Sequence, residues 1–269
     1  MLPLFPFLKV LLVSMLPSLT LAQARCQLAH VRQPDGSFRL GFCDELSLFG
    51  EHIGDDGAAA LALALADDRR LRMLDLWSNG IGPSGAKALA AAIAANSKLD
   101  KLYLNENKIG VEGATALAEG IGSPKSALTS LWLSRNGLGD AGAEALANGL
   151  SKYKARRLQV LDLWENGITA KGGKSLAEAL RTNGALLTLE LRGNSLGDDG
   201  ARAFASLMPN SRALSTLDLS SNGITPAGAQ LLLEGLKRSS SHPYLVLFVE
   251  HVPHMQATSW EQQGRQNAP

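Results

Sequence analysis

The chain of 269 residues is long enough for one or two domains with a substantial core, so it does not depend on a dense disulfide framework. Its 26 lysines and arginines against 25 aspartates and glutamates give a net charge of +1, and no block of like charge stands out. That balance lacks the electrostatic footprint of a general nucleic-acid binder, so a phosphate backbone is not an expected partner.

The first 24 residues, MLPLFPFLKVLLVSMLPSLTLAQA, are apolar with one lysine and end in Ala22-Gln23-Ala24, a small-x-small cleavage pattern. The uninterrupted apolar part, Val10 to Ala22, is shorter than the ~20 residues a spanning helix needs. Residues 1–24 are therefore read as a signal peptide, with no membrane span once it is removed. The alternatives are a membrane anchor or a misassigned start. The signal reading makes the chain secreted or lumenal; without a signal it is cytoplasmic. Residues 25–43 then form an N-terminal cap holding the only two cysteines, Cys26 and Cys43. In an oxidising compartment they pair and close one loop over the edge of the following domain; in the cytosol both are thiols.

Farther along, Gly80-Ile81-Gly82-Pro83-Ser84-Gly85-Ala86 follows an apolar LDLW segment and leads into an alanine-rich run. Strand, G-x-G-x-x-G/A, then helix is the form of a dinucleotide-binding turn. The motif, however, belongs to a repeat. The copies are LRMLDLWSNGIGPSGAKALAAAI from Leu71, LDKLYLNENKIGVEGATALAEGI from Leu99 and LTSLWLSRNGLGDAGAEALANGL from Leu128. They continue as LQVLDLWENGITAKGGKSLAEAL from Leu158, LLTLELRGNSLGDDGARAFASLM from Leu186 and LSTLDLSSNGITPAGAQLLLEGL from Leu214. Asn79, Asn107, Asn136, Asn166, Asn194 and Asn222 are spaced 28, 29, 30, 28 and 28 apart. A degenerate first copy, from Leu46, carries Glu51 in place of the asparagine.

These copies resemble the leucine-rich repeat family, in particular the long-repeat class of ribonuclease inhibitor, the Ran GTPase-activating proteins and the sensor repeats of immune receptors. The resemblance covers about residues 44–250 and implies an α/β solenoid. That is a right-handed horseshoe of about seven coils, with parallel strands on the concave face and helices on the convex face.

The residues of each copy agree with that form. In L-x-x-L-x-L, alternate leucines such as Leu74 and Leu76 point one way from a short strand. The asparagine turns the chain, and in the family its amide bonds backbone groups of the adjoining coil. Gly82, Gly110, Gly139, Thr169, Gly197 and Thr225 stand at helix N-cap positions, Pro83 and Pro226 open helices, and Asp140 and Asp198 complement the helix dipole. Ala86, Leu89, Ala90 and Ile93 form a buried helical stripe. The third glycine of the turn recurs as Gly113, Gly142, Gly173, Gly200 and Gly228, while the first two change to Lys108, Ser195, Thr169 or Thr225. The glycines thus serve turn and packing, not a pyrophosphate, and no cofactor is expected. PYLVLFVE, Pro243 to Glu250, supplies a closing strand, and residues 251–269 read as a disordered tail.

No local Ser/His/Asp or Cys/His set is visible, no phosphate-binding P-loop occurs, and no carboxylate or cysteine joins His242, His251 and His254 into a metal site. An enzyme is not expected. The informative positions flank the last strand leucine and face the concave opening: Phe49, Asp75, Trp77, Tyr103, Glu106, Trp132, Arg135, Asp162, Trp164, Glu165, Glu190, Arg192 and Asp218. Three of the four tryptophans fall there in a chain with only 5% aromatics. Such residues either stack across strands as sheet support or form a contact surface. The acidic surplus favours a protein or peptide partner with a basic or amide-rich surface, bound by a monomeric scaffold. The alternative functions are a Ran-type GTPase activator and a cytoskeletal or immune-type regulatory repeat protein.

Overall fold

Alternating leucines predict a strand with one dry side, and the structure buries them completely. Leu74, Leu76, Leu102, Leu104, Leu161 and Leu163 are each 0% exposed, as are their counterparts in the other coils. The computed structural model describes residues 25–151, 155–211, 213–238 and 245–249. The segment read as a signal peptide and the C-terminal segment read as a tail lie outside them.

Among the described residues, nine strands form one parallel sheet in chain order. Arg25–Cys26 (β1) and Leu28–Val31 (α1) belong to the cap. The repeats then place Glu45–Ser47 (β2), Gly54–Asp67 (α2), Met73–Asp75 (β3), Pro83–Ala95 (α3), Lys101–Tyr103 (β4) and Gly110–Ile121 (α4). Ser130–Trp132 (β5), Gly139–Ser151 (α5), Val160–Asp162 (β6), Ala170–Leu180 (α6), Thr188–Glu190 (β7) and Gly197–Leu207 (α7) follow. Thr216–Asp218 (β8), Pro226–Lys237 (α8) and Val246–Phe248 (β9) complete the open solenoid of about seven coils. Equivalent residues pair across coils, so that Leu74, Leu102, Leu131, Leu161, Leu189 and Leu217 make one continuous line. The closing strand is shorter than PYLVLFVE, and of that segment residues 243, 244 and 250 lie outside the described part.

The asparagines lock each coil to the one before it. Asn107 accepts from the backbone N–H of Asn79 (3.1 Å) and Ile81 (2.9 Å), and its amide donates to the carbonyls of Leu76 and Leu104 (both 2.9 Å). Asn136, Asn166 and Asn194 repeat the pattern. Because the amide reaches backward, the first coil has no preceding repeat turn to serve. This explains why exposed Glu51 is tolerated at its asparagine position.

Two details differ from the sequence reading. The third glycine of the fifth coil is Gly172 rather than Gly173. A Cβ on Gly172 would stand 2.7 Å from Ile168 Cγ2, as one on Gly85 would stand 2.8 Å from Ile81 Cγ2, whereas Gly173 faces Leu196. Gly110, Gly139 and Gly197 are also not extended N-caps. They begin α4, α5 and α7 themselves with φ of +60°, +56° and +54°, a left-handed turn that glycine adopts without steric cost. Gly82, Thr169 and Thr225 keep the extended capping conformation.

The aspartates act across coils as well as on their own dipoles. Asp140 accepts from the N–H groups of Thr169 (2.8 Å) and Gly172 (3.0 Å) and from the Thr169 hydroxyl (2.7 Å), capping α6 of the next coil. Asp198 does the same for Thr225 and α8, and Asp55 for Gly82 and Gly85 at α3. Burial pushes Asp140 up, but these hydrogen bonds outweigh it and hold the carboxyl below its ordinary 3.8. The Thr225 hydroxyl and N–H hold Asp198 low. A folded value below the unfolded one means the stabilisation is fully present above about pH 4 and is lost as pH falls through the depressed value. Asp140→Ala is expected to cost about 1 kcal/mol at pH 7, or about 2–4 °C, with the gap closing in melts run below pH 4.

Candidate functional site

The unpaired face of the sheet presents three side-chain rows. Between the strand leucines lie Ser47, Asp75, Tyr103, Trp132, Asp162, Glu190 and Asp218, aligned strand to strand by the register. After the last leucine come Phe49, Trp77, Asn105, Ser134, Trp164, Arg192 and Ser220, linked by backbone bonds such as Ser78 N–H to the Asn105 carbonyl. The next residue of the turn is left-handed in every coil. It is Ser78, Glu106, Arg135, Glu165 or Ser221, at φ of +50° to +55°, and otherwise Gly50 or Gly193.

At the N-terminal half the site is aromatic. Tyr103 and Trp132 stack with centroids 4.0 Å apart and planes 7° apart, and Phe49 meets Trp77 edge-on at 5.7 Å. Phe49 is 58% exposed, while Trp77, Tyr103 and Trp132 are half-buried. Neighbouring strands put these rings at stacking distance, so the aromatics support the sheet and still show a face to solvent. Burial, then the charges of Asp75 and Glu45, push the Tyr103 phenol above its ordinary value, leaving a neutral hydroxyl.

In the middle, Arg135 lies over the Trp164 ring at 4.7 Å and pairs with Glu106 (2.8 Å) and Glu165 (2.6 Å). Arg192 approaches the same ring from the next coil at 6.0 Å. Glu106 and Glu165 are therefore occupied in holding Arg135, and the acidic character of the face comes from Asp75, Asp162, Glu190 and Asp218.

The C-terminal half is a row of carboxylates on adjacent strands. Asp162 is only 4% exposed and accepts from the Trp164 N–H (2.8 Å) and the Asn105 amide (3.2 Å), with a further bond from Ser134. Burial raises its carboxyl above the ordinary range, and Asp218 adds to this. Glu190 is raised by burial, then by Asp162 and Asp218. A raised folded value means ionised Glu190 opposes folding at neutral pH, an effect that fades as pH falls toward its ordinary 4.5. Glu190→Gln should raise the melting temperature at pH 7 and leave it unchanged near pH 4.

Asn105 and Ser134 are the residues sequence reasoning passed over. Both are buried, their side chains meet at 2.6 Å, and Asn105 Oδ1 is a buried acceptor with no partner among the described residues. Polar residues at the position after the last leucine, where other coils carry Trp, were the available signal. The link from Asn105 to Asp162 spans two strands and 57 residues, so it is invisible in sequence.

Elsewhere the described residues offer little chemistry. A groove of about 550 Å³ runs between α6 and α7 on the helical side. Two of its arginines are paired locally, Arg181 with Glu178 (3.7 Å) and Arg202 with Asp199 (2.5 Å). No cluster of metal-ligating residues and no helix long and apolar enough to cross a membrane occurs among the described residues. In the cap, Cys26 and Cys43 are joined by a disulfide with Cα atoms 5.8 Å apart.

Strand-turn-helix coils stacked in register, with an asparagine at the turns of six of them and an open parallel face, define a solenoid repeat protein of the kind that binds other proteins. The chain belongs to the leucine-rich repeat family: the Leucine Rich repeat model matches residues 69–90, 95–118, 126–147, 155–177, 185–205 and 210–233, about half of the chain. Comparison with curated proteins finds no match. Among solved structures, the actin-binding site 2 of leiomodin-1 is similar over 58% of this chain and 88% of that one, at 18% identity and a TM-score of 0.47.

Proposed function

We propose that the chain is a non-enzymatic binding scaffold that takes one protein or peptide partner on its concave face. The partner would bring apolar side chains to Phe49, Trp77, Tyr103 and Trp132, and a basic or amide-rich surface to Asp75, Glu190 and Asp218. The observation that carries this reading is the half-exposed aromatic ladder running into a row of carboxylates on the one sheet face no helix covers. Aromatic side chains dominate binding hot spots, and unpaired carboxylates supply orientation and rate. Within the family we favour the ribonuclease-inhibitor-like class, on the 28- to 30-residue period and the glycine-alanine helix starts. Only two cysteines occur, and both lie at the edge, so inhibition of a ribonuclease is not carried over. We further place the scaffold, as a monomer, in a secreted or lumenal compartment, with residues 1–24 removed.

The test is affinity capture with mass-spectrometric identification. It compares the chain with a variant carrying alanine at Trp77, Tyr103, Trp132 and Trp164, both first checked for folding by circular dichroism. A partner held by the first and lost by the folded second supports the reading. Equal capture by both moves the site to the helices or loops. Intact mass of the isolated protein reads the N-terminus: a product beginning at Arg25 supports export, and one retaining Met1 refutes it.

A further inference from the structure

The sequence carries no run of like charge, yet the coils sort their charges by rim. Where strands lead into helices, acidic residues predominate, and Asp55, Asp140 and Asp198 are engaged as cross-coil caps. Where helices return to strands, cations collect. Arg69 and Arg72 come from one coil, Lys98 and Lys101 from the next, Lys125 from the third and Arg157 from the fourth. Lys98 is half-buried and the other five are exposed, and none makes an ion pair among the described residues. Beside them Arg70 pairs with Asp44 (2.8 Å). The acids of this rim are largely engaged by the fold: Asp68 accepts from the N–H groups of Arg70 and Leu71, and Asp100 accepts from the Thr129 hydroxyl.

These loops lie side by side. Asp100 and Lys101 donate to the Arg72 carbonyl, Thr129 and Ser130 to that of Asp100, and Gln159 and Val160 to that of Thr129. At about 4.8 Å per strand, the cations span about 14 Å along the sheet edge and more where the loops fan toward the helices. A row of that kind complements a linear polymer with regularly spaced anions rather than a single ion. The Cys26–Cys43 disulfide suits an oxidising compartment, where the linear polyanions within reach are sulfated polysaccharides rather than nucleic acids, an assignment that rests on the secreted or lumenal reading proposed above. Six arginines and lysines without an ion pair among the described residues suit the oxygens of successive sulfate groups.

We propose that this helix-to-strand rim binds a linear sulfated polysaccharide, independently of whatever occupies the concave face. Binding is then electrostatic, salt-sensitive and blind to the concave aromatics.

The experiment is retention of the full chain on immobilised heparin across a salt gradient. The chain should be held at about 0.15 M salt and released above it. A variant with Gln at Arg69, Arg72, Lys98 and Lys101 should bind at least about tenfold more weakly, since four charge contacts are lost. A control with Gln at Lys87, Lys108, Lys171 and Lys174 has the same net charge and should keep most of its retention. All eight positions are solvent-facing or nearly so, and matching melting curves establish that each variant is folded. Loss of retention in both variants, or none in the native chain, overturns the rim. Equal competition by a single-stranded oligonucleotide of the same charge overturns the polysaccharide assignment, whereas failure of desulfated heparin to compete supports it. The concave tetra-alanine variant should elute with the native chain, which keeps this result separate from the protein-partner reading.

Discussion

Asn107→Ala is expected to lower the melting temperature by roughly 6–12 °C, among the largest effects of any polar substitution in the chain. The side chain is 7% exposed and serves at least four backbone groups in two coils. Removing it leaves the N–H groups of Asn79 and Ile81 without their acceptor in a dry turn. Each unsatisfied buried group costs about 1–3 kcal/mol, so a total near 3 kcal/mol follows even if one finds water. Asn148→Ala, on the exposed face of α5, should move the transition by less than about 1 °C in the same calorimetric series. A shift at Asn107 as small as that at Asn148 would show that the asparagine ladder does not hold the coils together.

Gly120→Ala should also destabilise, although helix propensity alone predicts a gain of about 1 kcal/mol. A Cβ at Gly120 would stand 2.7 Å from the Ala90 carbonyl oxygen of the neighbouring helix, and a backbone atom cannot step aside as a flexible side chain does. Overpacking of that kind costs about 1–3 kcal/mol and here outweighs propensity. Gly149 and Gly235 face the carbonyls of Ala118 and Ala205 in the same way, so close helix-to-helix approach is a repeated feature of the convex layer. Gly184→Ala, with open space around its Cβ, is the control and should be neutral or mildly stabilising. Chemical denaturation of the two variants reads the sign directly; a stabilised Gly120→Ala would mean that α3 and α4 separate readily.

Much of the fold was legible because the repeat states it six times. The line Leu74, Leu102, Leu131 is a period-2 signal reinforced by a 28- to 30-residue period, and chance copies of such a pattern do not recur at that spacing. The local turn was less legible. Gly110 and Thr169 occupy the same repeat position, yet one begins its helix at positive φ and the other caps it from an extended conformation. The difference turns on glycine's freedom and on which neighbouring coil offers an aspartate. The doubled glycine at Gly172 and Gly173 likewise needed the contact with Ile168 to settle which one fills the crowded position.

For the candidate site, the sequence located the rows but not their chemistry. Trp77, Tyr103, Trp132, Trp164 and the carboxylates follow from alternation along a strand, which is local. That Glu106 and Glu165 are committed to Arg135, and that Asp162 is buried beneath an Asn105 and Ser134 network, depends on partners 29 to 57 residues away. Period and alternation, legible along the chain, determined by themselves the coil count and the face of each leucine. Charge placement and hydrogen-bond partners were decided only by tertiary structure. Stacking brings residues one coil apart to within about 5 Å, and it turns a chain of net charge +1 into a body with one acidic and one basic rim.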